Sequence, residues 1–194
     1  MEPCKNLTVV EGSPLSEKDT ERAFAAAGVP VDAVIIFLNP LRASENPWAR
    51  FIGPPRLLAD STTNAAHKLR AQQPLKGSKP RLVIMNALGV GESYGVTPYL
   101  ARLMMNYSNV GKTYEDHSAV NDEIEGNCGD AVSWTLALAV GLTGNGVAPV
   151  NAFACDERGA SMFITRESCA RWMVDVASGD LGDQFSNKRV IVSN

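Results

Sequence analysis

Four short segments of this chain place polar side chains where an α/β fold could use them. Asn86 ends the apolar run Arg81–Ala87 and is followed by Ala87, Leu88 and Gly89. A strand that delivers a short polar side chain and then glycine can bring its backbone close to a cofactor. Leu38-Asn39-Pro40 ends a second apolar run. Asn39 either offers an amide to a ribose or phosphate, or caps the strand before Pro40. Gly12-Ser13-Pro14 follows Leu7–Glu11 and can lay backbone against an adenine ring, or is simply a turn. Tyr114-Glu115-Asp116-His117 combines a phenol with an imidazole, two groups able to donate a proton near a reacting carbon. Its plainer reading is the first turn of a helix, with acids complementing the dipole and Tyr114 half-buried. His67, beside Lys68 and Arg70, reads as solvated, and Asp156-Glu157-Arg158 as a surface turn.

These segments need a scaffold, and the hydrophobic pattern describes one. Val34–Leu38, Arg81–Ala87, Trp134–Val140 and Arg189–Val192 read as buried strands, with shorter strands at Leu7–Glu11 and Met162–Ile164. Helices are expected from Ser16, an N-cap, to Gly28, over Leu57–Gln72, about Pro98–Tyr107, about Tyr114–Glu125, and Arg166–Ala177 behind a Thr165 cap. Asn39–Pro55 is a long loop, Pro74–Pro80 a turn and Gly141–Gly146 a loop. Strands alternating with helices predict a mostly parallel sheet covered on both faces, with ligands beyond the carboxyl ends of its strands. Gly89 and Gly91 are not expected to form a phosphate loop, since no helix pattern opens directly after them.

Composition narrows the function classes. The 194 residues are 45% hydrophobic and 20% charged, as in an ordinary globular chain, and suit a single domain over 1–194. A net charge of −3 with scattered Lys and Arg argues against nucleic acid as a partner. No run approaches the roughly 18 apolar residues of a membrane span. The start lacks a secretory pattern, so a cytoplasmic location is expected. Cys4, Cys128, Cys155 and Cys169 are far apart and read as free thiols, and no metal site is expected.

Taken in order, the segments resemble the atypical short-chain dehydrogenase group, in particular the biliverdin reductase B and flavin reductase type and the NmrA-like proteins. Val9-Val10-Glu11-Gly12-Ser13 resembles that group's third strand and adenine-side turn. Gly28–Ile35 resembles its G-x-D-A-V-I strand, and Tyr114–His117 followed by Trp134-Thr135-Leu136 its D-D-H and W-T stretches. Ile164–Ala170 resembles the start of its last long helix. The resemblance implies a Rossmann-like fold, NADP or NAD as cofactor, and a small conjugated or aromatic acceptor as substrate. It assigns cofactor contacts to Gly12, Ser13, Leu38, Asn39, Pro40, Asn86 and Ala87, and catalysis to Tyr114, His117 and Asn86.

The resemblance also carries departures. The family opens with a strand, a G-x-x-G-x-x-G loop, a helix and a second strand, roughly 40–50 residues for which this sequence shows no counterpart. Asn86 stands where the family usually has Ser. Ser118 stands where a typical dehydrogenase has the lysine partner of its tyrosine, and Leu138-Ala139 replaces an Arg-Pro. The expectation is therefore an N-terminally truncated Rossmann-like sheet with weak or absent dinucleotide binding. Its Leu7–Glu11 and Val34–Leu38 strands either pair directly or leave an open edge able to take a partner. The alternative function is a non-catalytic, NmrA-like dinucleotide sensor or partner-binding protein.

Overall fold

A computed structural model describes residues 6–44, 46–72 and 78–194. Cys4 and most of the predicted Pro74–Pro80 turn lie outside the described residues. In chain order the elements are α1 (Glu17–Ala26), β1 (Ala33–Ile36), α2 (Leu57–Ala71), β2 (Arg81–Ala87), α3 (Tyr99–Tyr107), α4 (Val110–Cys128), β3 (Ser133–Ala139), β4 (Gly141–Thr143), β5 (Asn151–Ala154), β6 (Phe163–Thr165), α5 (Arg166–Ser178) and β7 (Lys188–Ser193). A short 3₁₀ turn, Gly91–Val96, precedes α3.

The main sheet has the order β1-β2-β3-β7-β5, and β4 pairs with β6 in a separate two-stranded ladder. The pairs β1–β2, β2–β3 and β3–β7 are parallel, and β5 closes the far edge antiparallel to β7. Helices α2 and α4 pack on each other and on one face, while α5 lies against β1 and β2. This is the α/β, mostly parallel, Rossmann-like sheet that the alternating pattern predicts. Its core is continuous from Leu82 and Ile84 through Leu136 and Leu138 to Ile191, closed by Leu58, Leu69, Ile124 and Met173.

Local chemistry explains several boundaries. Ser16 caps α1, its hydroxyl accepting from Asp19 N at 3.2 Å, and Thr165 caps α5 the same way through Ser168 N at 3.2 Å. Gly28 (φ +69°) turns the chain after α1, and Gly179 (φ +85°) ends α5 in the left-handed region. The predicted apolar stripe of α5 (Cys169, Trp172, Met173 and Val176) is buried.

Four expectations are corrected. Leu7–Glu11 is not a strand: it runs as irregular, exposed chain, with Val9 84% accessible. Its β-branched residues favour a pleated surface, but without a paired neighbour that preference has nothing to act on. The Val34–Leu38 run is not fully buried; it is a four-residue edge strand of which only Ile36 is buried. Gly141–Gly146 is not wholly loop, since Gly141–Thr143 pairs with Phe163–Thr165. Helix α4 begins at Val110, so Tyr114 lies in its second turn rather than at its start.

Candidate functional site

The parallel register sets Asn86 beside Leu138 and Ala87 beside Ala139, so β2 and β3 end together. Beyond these ends lies a cavity of about 930 Å³. Its walls come from the β2 and β3 termini, from α3 through Tyr99 and Arg102, from α4 through Tyr114 and His117, and from residues 157–163. Met85, Leu88, Met104, Met162 and Phe163 make it largely apolar.

Asn86 is buried, and both ends of its amide are used. Its Nδ2 donates to the His117 carbonyl at 3.1 Å, and its Oδ1 accepts from Ala87 N at 2.8 Å. It therefore fixes α4 against the end of β2. Leu88 N donates to the Ala139 carbonyl at 3.0 Å, and the Leu88 carbonyl accepts from the Tyr114 hydroxyl at 3.1 Å. Gly89 follows with φ +110°, and a Cβ there would meet the Met105 side chain at 2.9 Å and the Tyr114 ring at 3.2 Å. Only glycine combines that backbone with that proximity.

His117 is 5% exposed, and its Nδ1 has no hydrogen-bond partner among the described residues. Burial lowers its pKa to about 4, so the ring is neutral near pH 7. Its centroid lies 6.1 Å from that of Tyr114. Burial pushes the Tyr114 phenol above its ordinary value, so it stays protonated with its proton directed at Leu88. Asp116 faces the other way. Its two carboxylate oxygens accept from Leu58 N (2.8 Å) and Ala59 N (2.9 Å) at the start of α2, a helix whose own N-cap, Arg56, supplies no capping side chain. Burial raises its pKa, against the opposing pull of these two N–H bonds and of Arg56. Asp116 complements the dipole of α2, not that of its own helix.

The structure gathers most of the sequence-predicted residues into one place. Asn39, Asn86, Ala87, Tyr114 and His117 line the large cavity. Gly12, Ser13 and Leu38 instead line a second cavity of about 330 Å³ between residues 10–14, α1 and β1. There Ser13 N donates to Asp19 Oδ2 at 3.0 Å and Ser13 Oγ accepts from Leu15 N at 3.3 Å, the bonds of a turn entering a helix. Pro40 is buried and lines neither cavity. His67 is exposed, as expected. Glu157 and Arg158 are exposed, yet they also form part of the large cavity's wall.

Sequence reasoning missed Arg102. Its Nε is buried without a hydrogen-bond partner among the described residues, and its guanidinium carbon sits 5.5 Å from the centre of the Tyr94 ring. The available signal was that Arg102 is the single charged residue in Tyr99–Tyr107. Cys128, Cys155 and Cys169 are free thiols, and among the described residues no cluster of His, Cys, Asp or Glu could hold a metal ion. No described helix is long and apolar enough to cross a membrane.

No family model and no curated protein matches the chain. Solved structures do. A wide-type short-chain dehydrogenase/reductase from Veillonella parvula, crystallised with NADP, aligns over 98% of this chain and 74% of its own, with TM-score 0.67 and 14% identity. The anaerobillin reductase ChuY from Escherichia coli O157:H7 aligns over 97% and 75%, with TM-score 0.63 and 12% identity. A Rossmann-fold NAD(P)-binding family protein from Shigella flexneri aligns over 98% and 72%, with TM-score 0.60 and 16% identity. The chain has the fold of the NAD(P)-binding short-chain dehydrogenases. It spans about three quarters of the length of these structures. At such identities the likeness concerns the fold.

The large cavity has the features of a ligand pocket. It is apolar, it lies at the carboxyl ends of parallel strands, and its wall holds two buried nitrogens without partners among the described residues, His117 Nδ1 and Arg102 Nε. The helix starts at α1, α2 and α5 already receive side-chain oxygens from Ser16, Asp116 and Thr165.

Proposed function

We propose that this chain is a single NAD(P)-binding domain that reduces a small conjugated or aromatic acceptor. The observation that carries this reading is the gathering of Asn39, Asn86, Ala87, Tyr114 and His117 around one apolar cavity at the ends of β2 and β3. When bound, NADPH or NADH supplies the hydride, and the protein positions it. Asn39 and the Asn86–Ala87 backbone flank the cofactor. Asn86 keeps α4, and with it His117, at a fixed height over the strand ends. His117, neutral and unpartnered at Nδ1, holds a polar atom of the acceptor. Tyr114 keeps its proton on Leu88 and serves as a rigid wall.

A thermal-shift titration with NADPH and NADH tests this first. A saturable rise in melting temperature is expected, followed by acceptor-dependent oxidation of NADPH with quinones or flavins. His117→Ala is expected to lower that turnover about 10²-fold; unchanged turnover would remove His117 from the reaction.

A second reading has one observation of its own. β1 is the edge of the sheet, and the smaller cavity runs beside it, lined by Val34, Ile36, Leu38 and Ser61, whose buried hydroxyl has no partner among the described residues. A non-catalytic, NmrA-like sensor would use that edge to take an extended strand from a partner protein. NADPH binding without turnover of any quinone or flavin would favour it.

A further inference from the structure

We propose that the open edge of β1 takes the Leu7–Glu11 segment of a second copy of this chain as an added strand, so that two copies exchange strands in a two-fold dimer. The proposal uses the sheet edge named in the second reading above, but it needs neither a dinucleotide nor turnover. The acceptor is built along the strand. Val34, Ile35, Ile36, Phe37 and Leu38 all line the smaller cavity. Successive residues of a strand point to opposite faces, so a cavity that touches five in a row runs along the strand's free edge. Arg81 N donates to the Asp32 carbonyl at 2.9 Å, and Ala33 stands opposite Arg81. Bonding groups alternate along a parallel ladder, so Val34 and Ile36 bond to β2, while the N–H and C=O groups of Ala33, Ile35 and Phe37 face the free edge.

Nothing blunts this edge with a charge or a proline, since Ala33–Ile36 is wholly apolar. Phe24 and Ala65 add apolar walls. Between them lies Ser61, 4% exposed, whose hydroxyl has no partner among the described residues. An added strand supplies what these groups lack: backbone partners for the edge, apolar side chains for the walls and a polar atom for Ser61.

The chain itself carries the complementary strand. Leu7-Thr8-Val9-Val10-Glu11 matches the edge from Ala33 to Phe37 residue for residue in length, and it is rich in strand-favouring side chains. It is unpaired, with Leu7 70% and Val9 84% exposed. Its exit is tied to the rim of its own cavity. Arg22 donates to the Glu11 carbonyl and pairs with Asp19 at 3.0 Å, Ser13 N donates to Asp19 Oδ2, and Asn64 Nδ2 donates to the Pro14 carbonyl at 2.9 Å. Residues 11–14 are thus held on α1 and α2. Val10 lines the cavity of its own chain, but Leu7 and Val9 do not, and they stand in water within reach of a neighbour. Alternation puts Leu7 and Val9 on one face of the segment and Thr8 with Val10 on the other, where Thr8 brings a hydroxyl suited to Ser61. Because donor and acceptor belong to the same chain, two copies satisfy each other and the assembly closes at a dimer.

Sedimentation equilibrium of the full chain, without cofactor, over about 1–200 μM tests this. A monomer–dimer equilibrium in the micromolar range is expected. Leu7→Asp/Val9→Asp should weaken it about 100-fold or more, because both charges would be buried against the edge. Both positions are exposed in the single chain, so the variant should keep the melting temperature of the monomer. Hydrogen exchange locates the contact: as concentration rises, 7–11 and 33–37 should both gain protection, and the double variant should lose that gain. A synthetic peptide of residues 6–12 should bind the double variant, whose edge is intact, and should dissociate the unaltered dimer. A chain that stays monomeric throughout overturns the proposal and leaves the edge to a different protein. A dimer that survives in the double variant, or one whose protection lies outside 33–37, overturns it as well.

Discussion

Strands β1 and β3 both pair in parallel with β2, one on each side, and both are rich in apolar residues. Their environments differ sharply. Six of the seven β3 residues are buried, against one of the four in β1. β3 has β7 beyond it, while β1 is the sheet's edge. The helices differ as well, though not by side: α5, packed on β1 and β2, buries six residues and α1 buries none. Hydrophobic sequence alone does not make a core. A residue contributes in proportion to the apolar surface its neighbours take from water, and the neighbours are concentrated on the β3 side.

The sharpest break of this comparison is a matched pair of truncations. Leu136→Ala, at 0% exposure in β3, is expected to lower stability by about 2–5 kcal/mol, and half-buried Ile35→Ala in β1 by about 1 kcal/mol. Urea denaturation reads both, and equal losses would place β1 in the same cooperative core.

The next effect is a pH dependence that belongs to the β3 side. His117 has a folded-state pKa of about 4, below the ordinary 6.5. Between these values the unfolded chain binds the extra proton, so stability is full above pH 6.5 and declines as pH falls towards 4. The loss has an upper bound of roughly 3 kcal/mol. His117→Gln should flatten that part of the profile, and an unchanged slope in the variant would assign the loss to other groups.

Asp116→Ala removes the two bonds that cap α2 and is expected to destabilise by about 2 kcal/mol, read by the same denaturation. The smallest effect separates the two helices α5 and α1. Thr165→Ala at α5 should lower global stability by about 1 kcal/mol. Ser16→Ala uses the same capping chemistry, but α1 buries nothing, so its loss should appear as faster local hydrogen exchange with under about 0.5 kcal/mol of global change. A Ser16 effect as large as that of Thr165 would mean that α1 opens only with the whole domain.

Much of the architecture was legible from local pattern. Arg81–Ala87, the strand at 189–192, the helix over 57–72 and the capped helix after Thr165 all appear close to their expected bounds. β5 was not legible: Asn151–Ala154 has no marked apolar pattern, and it becomes a strand by pairing with β7 about 40 residues later. Asp116 was read as a helix-start acid, but it lies inside α4, which begins at Val110, and caps a different helix.

Of the candidate site, the sequence by itself determined which residues follow the apolar runs at strand ends. Asn39, Asn86 and Ala87 depend only on where an apolar run stops, and hydrophobic periodicity reports that directly. Tertiary structure alone decided that Tyr114 would aim its proton at Leu88, that His117 would be buried and neutral, and that Arg102 and Arg158 would share one cavity. The physical reason is range. Caps, turns and periodicity act within a few residues, whereas desolvation and cavity walls are set by side chains that meet only after the chain has folded.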